Sequence, residues 1–187
     1  MMENLKALQR KIGIAARRSL TPDSSSALSR IICEKLRRSS FAKASTILSY
    51  QAFGGEVDLF LFHEWAASEG KRVAFPLCYG DGKMVAALPR DEDAWETGKY
   101  GIMTPIESRS IILDPAELEL VLIPCTAFHG VRKIRCGMGS GYYDRYLPQC
   151  KNAATIAAAF ENQHIIDLYV DDWDVRLDHI VTELNWY

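Results

Sequence analysis

No stretch of this chain is apolar for long enough to cross a bilayer, which takes about 20 residues. Its opening, MMENLKALQRKIGIAARRSL, lacks the apolar core and small-residue cleavage site of a secretory leader. Cysteine occurs five times (33, 78, 125, 136, 150), never as C-x-x-C and in an odd number, so neither a zinc site nor a disulfide framework is indicated. Reduced thiols in a cytoplasmic protein are the expectation. Internal repeats and low-complexity linkers are missing too. What remains is an ordinary globular composition, 48% apolar and 25% charged over 187 residues, enough for one domain, residues 1–187, with a substantial core.

The net charge is only −2, yet it is unevenly spread. Residues 1–48 hold ten Lys/Arg against three Asp/Glu, whereas residues 151–187 hold two against seven. A basic N-terminus can serve nucleic acid, but no aromatic platform or binding motif is interleaved with it, so no nucleic-acid or membrane partner is expected. The plain alternative is a pair of solvated amphipathic helices. A third possibility is that some of these cations reach an anion held elsewhere in the fold.

Periodicity predicts a helix over 3–19 with Leu5, Leu8, Ile12 and Ala15–Ala16 on one face. Thr21-Pro22 is an N-cap followed by proline at the first helical position, opening a second helix to about Arg38 with Leu28, Ile31, Ile32 and Leu36. A strand follows at 46–51, then the loop FGGEVD. Asp58 caps an apolar helix that stops at Gly70, and strands are expected at 72–76 and 83–88. Residues 89–118 are mixed. The apolar run Leu120-Val121-Leu122-Ile123-Pro124 reads as a buried strand, with further strands at 153–160 and 179–182. Strands alternating with helices predict a single three-layer α/β/α domain with a largely parallel central sheet. In such sheets ligands gather at the carboxyl ends of strands, where the FGGE loop and the glycine-rich stretch after 120–124 both fall.

That stretch is GMGSGYYDR, residues 137–145. Glycines at alternate positions allow φ > 0 and let backbone N–H groups approach a ligand, an anion cradle feeding a short helix from Tyr142 to Leu147. It is not a Walker A loop, because no Gly-Lys-Ser/Thr follows, and its glycines lie too far beyond the strand for a dinucleotide fingerprint. A tight turn with two packing tyrosines is the plain reading. Asp144 and Arg145 beside bare backbone point instead to a metal ion and a phosphate.

Five ordered segments together resemble the 5-formyltetrahydrofolate cyclo-ligase (methenyltetrahydrofolate synthetase) family. They are KALQR (6–10) with AARRSL (15–20), SYQAFGGEVD (49–58), LVLIPCTAF (120–128), RCGMGSGYYDR (135–145) and DVRLDHIVTE (174–183). The resemblance implies an enzyme that uses ATP as co-substrate and Mg2+ to convert 5-formyltetrahydrofolate to 5,10-methenyltetrahydrofolate. It implies ATP contacts from Lys6, Arg10, Arg135, Gly137, Met138, Gly139, Ser140, Gly141 and Tyr142. Gln51, Phe53, Glu56 and Tyr142 would meet the reduced folate, Asp144 and Asp174 the magnesium, and Tyr143 and Arg145 would act in catalysis. His129, Lys133, Cys136 and Thr104 depart from the residues usual in the family; a glycine is usual where Lys133 stands. Two other readings stay open on residues alone. One is a phosphosugar isomerase or acyl-CoA transferase on a similar sheet, with Glu56 as base. The other is a non-catalytic folate- or nucleic-acid-binding protein, which would have no use for the carboxylates of Asp144 and Asp174.

Overall fold

The computed structural model describes residues 2–171 and 173–187. Helix α1 (Met2–Arg18) is followed by α2 (Pro22–Arg38), whose N-cap Thr21 accepts from Ser24 N with proline at the first turn, as the sequence predicts. Strand β1 (Thr46–Leu48) precedes α3 (Phe60–Ser68), and Asp58 Oδ1 accepts from Phe60 N at its entry (2.9 Å). Next come β2 (Arg72–Cys78) and β3 (Met84–Pro89). The mixed region resolves into short strands β4 (Trp95–Thr97), β5 (Met103–Pro105) and β6 (Ser110–Leu113). Strand β7 (Leu120–Pro124) leads to a hairpin of β8 (Ala127–His129) and β9 (Ile134–Cys136). The chain then forms α4 (Tyr142–Tyr146), β10 (Ala154–Ala158) and β11 (His179–Val181).

Seven strands form the central sheet in the order β11-β10-β7-β1-β2-β3-β6. β11, β10, β7, β1 and β2 pair in parallel; β3 runs antiparallel to both β2 and β6. The parallel part is buried on both faces, which is why 120–124 reads as a continuous apolar run. Alternation sorts that run. Leu120 and Leu122 pack with Ile32, Leu36 and Phe62 from α2 and α3, while Val121 and Ile123 pack with Phe128, Tyr146 and Leu147 on the opposite face. All five cysteines are free thiols.

Helix α1 is turned opposite to what its apolar stripe suggests. Leu5, Leu8 and Ile12 are about half exposed (45%, 53% and 49%). The polar stripe Gln9, Gly13 and Arg17 is buried instead, with Lys6 and Arg10 half-buried beside it. Gly13 makes this approach possible: a Cβ there would lie 2.0 Å from the carbonyl oxygen of Thr126. The helix therefore rests backbone-on-backbone against the β7–β8 junction. Lys6, Arg10 and Arg17 on this helix reach residues beyond the carboxyl ends of the strands.

Candidate active site

Beyond β9 the chain enters the glycine loop. Gly139 (φ 103°) and Gly141 (φ 65°) take left-handed conformations, and Gly141 caps α4. Two guanidinium groups bracket this backbone. Arg10 Nε donates to Gly137 O (3.0 Å), and Arg145 donates through Nη2 to Ser140 O (2.6 Å) and through Nε to Gly82 O (3.0 Å). α4 has only five residues, so side-chain cations rather than a long helix dipole supply the positive charge here.

A cavity of about 880 Å³ opens against this loop. Lys6, Arg10, Arg135, Gly137–Gly141, Tyr142, Tyr143, Asp144, Arg145 and Asp174 all contribute to its wall, and so does Glu56. The two carboxylates expected to meet, Asp144 and Asp174, thus share one cavity despite their separation in sequence. Each faces a cation. Arg135 Nη1 stands 3.1 Å from Asp144 Oδ1, and Lys6 Nζ stands 2.7 and 2.6 Å from the two Asp174 oxygens and 2.7 Å from Asp171 Oδ2. Burial by itself would lower the Lys6 ammonium, but hydrogen bonds to Asp171 and Asp174 outweigh it and hold Lys6 above its ordinary pKa. The same contact to Lys6 depresses Asp171.

Arg135 is the least satisfied group on this wall. Its side chain is 4% exposed, yet Nε and Nη1 have no hydrogen-bond partner among the described residues; the contact to Asp144 is an ion pair without hydrogen-bond geometry. Its guanidinium lies 5.7 Å over the Tyr143 ring. Tyr143 Oη is likewise buried and has no hydrogen-bond partner among the described residues, and burial pushes its phenol far up. A buried cation with free N–H donors facing a cavity is arranged for an anion. The cysteines are not arranged for nucleophilic work, since burial drives the Cys125 thiol up to about 12.

Glu56 also lines the cavity, with its carboxylate already engaged. Oε1 lies 3.4 Å from Arg17 Nη1, and Oε2 accepts from Phe53 N (3.1 Å). Burial raises Glu56 despite the opposing Arg17 charge. Gln51 and Phe53 lie on the same loop but not on the cavity wall; Phe53 packs against Tyr100 with ring centroids 5.5 Å apart. The cavity also uses residues that sequence reading passed over: Asp171 and Trp173, from the acidic run that supplied Asp174, and Cys78 at the end of β2. Arg17, behind Glu56, was legible in principle, because it continues the face of Lys6, Arg10 and Gly13. Lys133 sits at φ 52° in the β8–β9 turn and is, with Tyr100, one of two described non-glycine residues at positive φ. That is the conformation for which a glycine suits the position.

Residues 3–183 match the model of the 5-formyltetrahydrofolate cyclo-ligase family. The chain belongs to this family. Among similar proteins, the 5-formyltetrahydrofolate cyclo-ligase of Escherichia coli K12 is 26% identical over 171 residues, covering 89% of this chain and 93% of that protein. The probable 5-formyltetrahydrofolate cyclo-ligase of Schizosaccharomyces pombe is 30% identical over 131 residues, 63% of this chain and 64% of that protein. The NMR structure of the Aquifex aeolicus 5,10-methenyltetrahydrofolate synthetase superposes with a TM-score of 0.85 at 28% identity, over 97% of this chain and 91% of that one. A 5,10-methenyltetrahydrofolate synthetase from Mycoplasma pneumoniae gives 0.79 at 26% identity, over 95% and 98%. Membership in this cyclo-ligase family sets aside the isomerase and transferase readings.

Proposed function

We propose that this cyclo-ligase converts 5-formyltetrahydrofolate to 5,10-methenyltetrahydrofolate in a reaction driven by ATP, with ADP and phosphate released. The observation that carries the reading is Arg135, a buried guanidinium whose Nε and Nη1 have no hydrogen-bond partner among the described residues, facing a cavity also lined by Lys6 and Arg10. These three cations would take the phosphate chain, with Gly137 to Gly141 and Tyr142 alongside it. Arg145, on the same wall, would complete the neutralisation of charge. Phosphoryl transfer asks a protein mainly for positioning and charge stabilisation, which is what these groups supply.

The chemistry requires activation of a poor leaving group. The formyl oxygen on N5 attacks the γ-phosphorus, and the β–γ bridging oxygen departs with ADP. N10 then adds to the activated carbon, and loss of phosphate with the N10 proton leaves the methenyl bridge. Glu56 would accept hydrogen bonds from pterin N–H groups, and the buried Tyr143 phenol would donate to the reacting region. Gln51 and Phe53 would act through the loop they share with Glu56. Asp144 and Asp174, both hard carboxylates on the cavity wall, would hold the magnesium, with Arg135 and Lys6 then free to pair with phosphate oxygens. Magnesium there would neutralise phosphate charge. We assign the protein to the cytoplasm as a single domain over 1–187, with reduced folate and ATP as its small-molecule partners. Among the described residues no helix is long and apolar enough to cross a membrane.

The test mixes protein, magnesium, ATP and 5-formyltetrahydrofolate and follows methenyl absorbance together with phosphate release. One phosphate per methenyl group is expected. Asp144→Asn should cut turnover by about a hundredfold or more, as for loss of one charge-stabilising group. Phosphate release without methenyl formation, or methenyl formation without nucleotide, would overturn the proposal.

A further inference from the structure

Arg17 is buried (side chain 1% exposed) near the end of α1. Its donors are spent on one segment and one strand end. Nε donates to Gly54 O (2.9 Å), Nη2 to Phe53 O (3.4 Å), and Nη1 to Glu56 Oε1 (3.4 Å) and Cys125 O (3.3 Å). The segment wraps the guanidinium closely. Gly54 (φ 58°) and Gly55 (φ 83°) are both left-handed, and a Cβ on Gly54 would come within 3.3 Å of Nη2. Three carbonyls and a carboxylate around one planar fork is a geometry that an ammonium cannot reproduce.

We propose that Arg17 is the positioning residue for the folate side of the cavity, holding Glu56 and the 53–56 turn in the shape that receives the pterin. This rests on the folate reading of the site. Arg17 does not line the cavity. It acts through Glu56. Groups facing Glu56 come from each surrounding element: Arg17 from α1, Tyr50 after β1, Cys125 beyond β7 and Tyr143 from α4. Burial keeps the two phenols and the thiol neutral at ordinary pH, which leaves Arg17 as the charged member of this set. Burial raises Glu56, and the Arg17 charge opposes that rise. An ionised Glu56 accepts from pterin N–H groups on both oxygens; a protonated one presents a donor where the pterin presents another.

The test titrates the 13C-labelled Glu56 side-chain carboxyl by NMR in wild type, Arg17→Gln and Arg17→Lys. 5-Formyltetrahydrofolate and ATP affinities are measured by calorimetry across the same pH range, with Glu56→Gln and the Arg17→Gln/Glu56→Gln double variant. The Glu56 midpoint should move up in Arg17→Gln. Folate affinity should fall about tenfold or more, the usual weight of a charge-assisted hydrogen bond, with the loss steepest at low pH and ATP affinity held. The double variant should bind folate no worse than Glu56→Gln. If Arg17→Gln does not fold, Arg17→Lys decides: the charge stays but the fork is lost, so folate affinity should still fall. An unchanged Glu56 midpoint in Arg17→Gln, unchanged folate affinity in Arg17→Lys, or fully additive losses would overturn the proposal. If the midpoint moves but wild type does not bind the folate, the folate reading fails and the Arg17–Glu56 pairing stands.

Discussion

Replacing Gly13 with alanine opposes two effects of known size. Within a helix, alanine is favoured over glycine by about 1 kcal/mol, so a Gly→Ala change on an exposed face would stabilise α1. Here the new Cβ would stand 2.0 Å from Thr126 O and 2.7 Å from its carbonyl carbon, well over an ångström inside ordinary contact. The obstacle is backbone and it is pinned. Thr126 O accepts from Gln163 Nε2 (2.8 Å), and Thr126 Oγ1 and N both donate to Cys136 O (2.8 Å each). Helix or strand must shift, and overpacking of this kind costs about 1–3 kcal/mol, occasionally more. After the propensity gain is subtracted, a net loss of up to roughly 2 kcal/mol remains, or a fall in Tm of up to roughly 8 °C for a chain of this size. Lys6, Arg10 and Arg17 ride on the same helix, and a misplacement of about 1 Å can lower turnover by about a hundredfold. The assay is urea unfolding with calorimetric Tm and steady-state turnover for wild type, Gly13→Ala and Gly80→Ala. A Cβ at Gly80 would meet nothing within 4 Å among the described residues, so that variant is the control. A Gly13→Ala protein that is more stable than wild type and fully active would refute this packing of α1.

Two further outcomes are expected. His63, with Nε2 2.7 Å from Ser49 Oγ, is held down to about 4 by burial, against an ordinary value of 6.5. The unfolded chain then binds a proton between these values that the folded chain refuses, so stability falls as pH drops from about 6.5 to about 4, by up to roughly 3 kcal/mol. Urea midpoints for His63→Gln should show a flatter decline over that range; parallel curves would contradict the assignment. Tyr143→Phe removes a buried hydroxyl that has no hydrogen-bond partner among the described residues. Stability should hold or rise by about 1 kcal/mol while turnover falls, and full turnover would reduce Tyr143 to a wall residue.

By itself the sequence determined those parts of the fold set by local chemistry. Thr21-Pro22 opened α2 where its cap and its proline act within one turn, and the continuous apolar run 120–124 became the doubly buried β7. The site's cations and carboxylates were legible as residue types at characteristic spacings: Lys6 with Arg10, Arg135 ahead of the glycines, Asp144 after them. Tertiary structure decided what depends on distant partners. An amphipathic pattern marks two faces of a helix without saying which is covered. α1 exposes Leu5, Leu8 and Ile12, because Gly13 brings its polar face against Thr126. Short strands such as β4, β5 and β6 carry too few residues for a period to register, and only pairing identifies them. The bonds of Arg17 to Phe53, Gly54, Glu56 and Cys125 span gaps of 36 to 108 residues. Nothing local favours such a meeting; it forms because β7 and β1 pair in parallel and so deliver the end of β7 and the turn after β1 to the same end of the sheet, where one buried guanidinium satisfies them both.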